Sequence, residues 1–205
     1  MRTLLSRRWR SVIGERLPRA CTLWAVILHR FAASGIVTTG AVRQLELMET
    51  DKSLRKHLIE LLDGGHAHAS FDDVIADFPP KLRGEKPAGL PHSAWMLLEH
   101  MRIAQWDILD FSRTPKYKTL KWPEEHWPKS LSPPNAVAWD KSVRSFHRDL
   151  GAMRKLVNDA KTDLFAKIPW GEGQTILREA MLVADHNSHH LGQLIDVRRL
   201  LGIWK

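Results

Sequence analysis

Apolar residues along this chain recur at spacings of three and four, the period of helices packed on one face. Leu54, Leu58, Leu61 and Leu62 form the first such stripe, and Gly64-Gly65 follows it. Thr50 is the expected N-cap of that helix and the glycine pair its stop. Ser70-Phe71-Asp72-Asp73 reads as a second start, with Val74, Ile75 and Phe78 apolar and Pro79-Pro80 ending the segment. Residues 79–91, rich in Pro, Gly and Lys, read as a loop. Ser93 then opens a long helix. Viewed down its axis, Met96, Leu97, Ile103, Ala104, Asp107, Ile108 and Phe111 all lie within about 80° of His100.

A proline-rich connection over 113–135 carries Trp122 and Trp127, and a connection of this length crosses a bundle end or covers a site. The next helix is expected from about 136 to 160, with Trp139, Val143, Phe146, Leu150, Met153 and Val157 as its seam. The last runs from near Thr175 to about Leu201. Glu179, Leu182, Val183, His190, Gln193, Val197, Leu200 and Leu201 share the face of His186. Its opposite side carries Leu177, Met181, Ala184, Leu191 and Ile195, which calls for cover by another element or another subunit. With no alternating strand pattern and no internal repeat, the fold expected is an all-α bundle of four main helices.

Charge changes this picture at one end only. The net charge is +8. Residues 1–47 hold eight arginines against two glutamates, a net of +6, which leaves +2 for the remainder. No nucleic-acid face is therefore expected on the bundle. We read residues 1–47 as a weakly ordered arginine-rich extension and 48–205 as the bundle domain. The apolar run Cys21–Leu28 is too short to span a bilayer, so no transmembrane segment is expected. A single cysteine excludes an internal disulfide and a cysteine-based zinc cluster, and fits a cytoplasmic location.

The candidate chemistry lies on the two polar-interrupted stripes. His186 and His190 stand four apart, so one helix face presents both imidazoles. His100 interrupts the apolar stripe of another helix and is the natural third ligand for a divalent ion. Burying three imidazoles unsatisfied would cost several kcal/mol, at about 1–3 kcal/mol per group, and a shared ion would satisfy them together. His189, at i+3 from His186, could stand in for His190 as a ligand, but the i,i+4 pair has the better geometry, which puts His189 in the wall or on the rim. His66 and His68 follow the glycine pair and are further conceivable ligands from a bundle end. His92, His126 and His147 read as surface or capping histidines. Asp107 and Glu179 sit two turns, about 10 Å, from His100 and His186. With Gln193 they are candidates to support an imidazole N–H or to orient a substrate.

These residues, in this order, resemble the DinB-like family of metal-binding four-helix bundles related to bacillithiol transferases and mycothiol-dependent isomerases. The resemblance rests on Trp95-Met96-Leu97-Leu98-Glu99-His100-Met101, on Arg102-Ile103-Ala104-Gln105-Trp106-Asp107, and on Ala184-Asp185-His186 through His190-Leu191-Gly192-Gln193. It covers about residues 48–204. It implies an up-down-down-up bundle with a long crossover connection, a homodimer, and one ion, nickel or zinc, held by His100, His186 and His190. It implies no particular substrate.

Three protein ligands with an open coordination position are the catalytic pattern, whereas structural zinc is closed by four. Two function classes follow. One is a metal-dependent enzyme acting on a small-molecule substrate, either a hydrolase or an S-transferase using a low-molecular-weight thiol. The other is a non-enzymatic metal-binding or stress-related interaction protein whose site is structural or vestigial.

Overall fold

The computed structural model describes residues 39–204. Two compact units divide the chain, Met1–Ser53 and Leu54–Lys205. Of the first, the described residues 39–53 are helical and mostly exposed. The expected extension lies, as far as residue 38, outside the described residues.

Five α-helices are present among the described residues: α1 (Thr39–Asp63), α2 (Phe71–Ile75), α3 (Ala94–Arg113), α4 (Ala138–Asn158) and α5 (Ile176–Leu200). A short 3-10 helix covers Pro80–Leu82, inside the expected loop. No strand occurs among these residues beyond one isolated bridge, Lys167 to Thr175. The described residues are all-helical, as their periodicity predicts. None of these helices is long and apolar enough to cross a membrane.

One boundary needs correction. Thr50 is not an N-cap. It lies inside α1, where its hydroxyl donates to the Glu46 carbonyl at 2.9 Å. A helix-interior threonine that bonds back one turn is indistinguishable in sequence from one that caps. The expected boundary between residues 47 and 48 also falls within α1.

Three other starts obey their caps, while α4 follows Val137 with no side-chain cap. Ser70 and Asp73 form a reciprocal capping box on α2. Ser93 Oγ accepts from the Met96 amide at the head of α3, and Thr175 Oγ1 from the Arg178 amide at the head of α5. α2 ends at Ile75, before the prolines that were expected to stop it, and Asp77 turns the chain with φ of 51°.

α3 is the central element, packed along both α4 and α5. The α4 seam is buried at Trp139, Phe146, Met153 and Val157, and half-buried at Val143 and Leu150. One core cluster joins Phe71, Val74, Leu97, Leu98, Met101, Phe146, Leu194 and others, with Phe71 and Phe146 stacked at 3.8 Å. A second joins Leu58 and Leu62 to Leu109, Met153, Val183 and Ala184. On the second face of α5, Ala184 and Leu191 are buried and Leu177 and Ile195 half-buried, while Met181 stays exposed. The chain itself thus covers most of that face.

Two buried arginines tie the elements together. Arg55 donates to the carbonyls of Val157, Asp159 and Thr162 at the end of α4. Arg198 donates to Val74, Ala76 and Ile203. Each satisfies carbonyls that a helix end or turn would otherwise leave unpaired.

Candidate metal centre

α3 and α5 bring His100, His186 and His190 together. One ligand nitrogen from each lies within 4.8 Å of the others, the one such group among the described residues. His100 and His190 are buried and His186 is half-buried. The closest pair, His186 Nε2 and His100 Nε2, are 3.1 Å apart. Two nitrogens sharing a tetrahedral ion at about 2.0–2.1 Å would stand about 3.3 Å apart. The residues fit a divalent ion.

Hydrogen bonds to the far side of two rings support that reading. His100 Nδ1 donates to the backbone carbonyl of His126 at 2.8 Å, which leaves Nε2 as a lone pair facing the cluster. His190 Nδ1 donates to Gln193 Oε1 at 2.8 Å, which frees its Nε2 in the same way. Gln193 in turn donates through Nε2 to His189 Nε2 at 3.1 Å. His189 is exposed and stands on the rim, as its position on the wheel predicts.

Burial is the main cause of the acid–base character of all three. It pushes His186 down to about 3, with the neighbouring His190 and His100 adding to the effect. It takes His100 down to about 4, against the opposing pull of the His126 carbonyl. It lowers His190 as well, opposed by Gln193. All three rings are therefore neutral near pH 7, the form that binds a metal.

The long connection supplies the roof. Trp127 stacks on His100 at 3.8 Å with an interplanar angle of 4°, and His92 stacks on the other face of this sandwich, 4.0 Å from Trp127. His92 and His126 are therefore not the surface or capping histidines expected. Both are half-buried and built into the wall. His147 is exposed and pairs with Asp72 at 2.9 Å. Trp127 went unassigned in sequence because a loop residue has no periodicity to betray its partner.

The remaining candidates lie elsewhere. His66 and His68 are exposed and outside the group; His68 Nε2 meets Ser188 Oγ at 3.0 Å. Asp107 accepts from the Tyr117 hydroxyl at 2.9 Å and faces His126 Nε2 at 3.4 Å. Burial, reinforced by Asp107, raises Tyr117 to about 12, so it remains a donor. Glu179 is buried and accepts from Arg178 Nη1. Asp107 and Glu179 line one cavity together, whereas Gln193 alone of the three supporting candidates touches a histidine of the cluster.

The chain matches no family model, no curated protein and no solved structure.

Proposed function

We propose that this protein is a metal-dependent enzyme of the DinB-like type, with His100, His186 and His190 holding a nickel or zinc ion. The observation that carries this reading is the convergence of three neutral imidazoles, two of them with their far nitrogens already bonded to an acceptor. That donor set contributes no negative charge, and no carboxylate joins it among the described residues. An ion bound there would act as a Lewis acid and lower the pKa of a coordinated thiol or water.

The protein's own residues do the positioning. The His126 carbonyl and Gln193 fix two rings, and Trp127 covers His100 against solvent. Hydrolysis needs a general base beside the attacking water. Asp107 and Glu179 are each two turns along their helix from the nearest candidate ligand, and both are engaged with other side chains. A thiol that loses its proton on binding needs no such base. We therefore favour thiol-dependent S-transfer to a small electrophilic substrate over hydrolysis. The up-down-down-up topology, the homodimer and the cytoplasmic location belong to the same reading.

The test begins with elemental analysis of protein purified without a nickel column, wild type beside His190→Ala. About one metal per chain in the wild type, largely lost in the variant, is expected from a three-ligand site. Conjugation of a model electrophile by the loaded wild type, dependent on added low-molecular-weight thiol, would then support S-transfer. Ester cleavage without thiol would select the hydrolase instead. A firmly held metal with no exchangeable ligand would point to the non-enzymatic alternative, and no metal in either protein would end the enzyme reading.

A further inference from the structure

The cavity that Asp107 and Glu179 share, of about 440 Å³, opens between α3, α5, the start of the long connection and the loop before α5. None of the three clustered histidines lines it. Its position along the groove is set by Asp107 and Glu179, each seven residues from a histidine of the cluster, or about 10 Å by helical rise. The volume suits a small organic molecule.

Its lining is unusual in two respects. The first is aromatic: Phe111, Tyr117 and Trp170 all contribute, with Phe111 and Tyr117 edge to face at 5.2 Å. The Trp170 indole N–H is already spent on the Phe111 carbonyl at 2.7 Å, which holds the loop against α3. Gly171 permits that approach, because a Cβ there would stand 2.9 Å from the Phe111 ring. The second is charge. Asp107, Glu172 and Glu179 face a single cation of the lining, Arg178.

Glu179 is the decisive residue. Its side chain is only 3% exposed. One oxygen accepts from Arg178, while Oε2 has no hydrogen-bond partner among the described residues. That second oxygen keeps access to solvent on the cavity side, where a donor carried by a bound molecule can reach it. Arg178 is itself 57% exposed and is already engaged with the first oxygen. Acidic oxygens among aromatic rings are the surroundings that recognise an organic cation, through ion pairing at one end and cation–π attraction along the walls.

We infer that this cavity is a binding site for a small molecule carrying an alkylammonium or similar organic cation, seated against Glu179. The site is separate from the three histidines and does not depend on their holding a metal.

Benzylammonium tests this against two molecules of nearly the same shape, benzyl alcohol and benzoate, titrated into the full chain. Isothermal calorimetry is the readout, with total tryptophan fluorescence beside it, to which Trp170 in the lining contributes. Benzylammonium should bind about tenfold or more tighter than either control, the difference expected of one ion pair with cation–π support. Glu179→Gln should remove most of that preference. Glu172→Lys, at an exposed position, should weaken benzylammonium binding several-fold even if the first variant folds poorly. Equal binding of the three molecules, or of benzylammonium to wild type and Glu172→Lys, would overturn the proposal. Metal-stripped protein should behave as wild type here. Loss of cation binding with metal content intact would refute this site alone, and loss of metal with cation binding intact would refute only the enzyme reading.

Discussion

Gln193 shows how much a single residue contributes to the cluster. Its carbonyl oxygen takes the His190 Nδ1 proton while its amide donates to His189, so it fixes both the orientation and the tautomer of His190. Gln193→Ala should weaken zinc binding about 10- to 100-fold with little change in fold, since removing an imidazole's supporting acceptor has that effect. Gln193→Glu, which keeps an acceptor in place, should restore most of it. Competition with a chromophoric chelator measures both, and an unchanged affinity in the alanine variant would exclude the orienting role. Trp127 acts on His100 by a different means, stacking rather than bonding, and covers one whole face of the ring.

At the scale of elements, the head of α3 is joined to the roof of the cluster. Ser93 is fully buried; its Oγ accepts from the Met96 amide at 3.2 Å and donates to the Leu131 carbonyl at 2.5 Å. One side chain thus caps the helix carrying His100 and anchors the connection carrying His126 and Trp127. Ser93→Ala removes the cap and leaves a carbonyl without its donor, at a combined cost of about 2 kcal/mol. Thermal unfolding should shift down by about 4–8 °C for a chain of this size. A shift of less than a degree would show that water or another group replaces the hydroxyl at no cost. Ser93 was legible in sequence as a cap, but its second bond to Leu131 was not, because that partner lies 38 residues away in a segment without periodicity.

For the whole molecule, the cluster sets a dependence of stability on pH. In the metal-free protein burial holds His100 at about 4 and His186 at about 3, against an ordinary value near 6.5. Below about 6.5 the unfolded chain therefore binds more protons than the folded one, and stability rises with pH through this range. The contribution is complete above about pH 6.5 and is lost progressively as pH falls toward 4 and 3. Urea denaturation of metal-free protein at a series of pH values should show the midpoint dropping steeply from pH 6.5 to 4.5. His186→Gln should flatten that slope. A wild-type midpoint independent of pH in this window would mean that these rings are not buried as the fold has them.

The all-helical class, three of the principal helices and the three histidines were readable from residue order alone. The physical reason is locality: the 3.6-residue period and the caps act within a few residues, and the i,i+4 pair of His186 and His190 is a property of one helix. His100 could be read because a polar side chain inside an apolar stripe must find a partner. The extent of α1 could not, since Thr50 would serve equally well as a cap or as a helix-interior donor, and only the Glu46 contact decides between them. Nor could the carbonyl of His126, the stacking of Trp127 and His92, or the joining of Asp107 and Glu179 in one cavity. These depend on how α3 and α5 register against each other and on the path of a proline-rich connection. Such contacts span tens of residues, and no local pattern encodes them; packing alone brings them together.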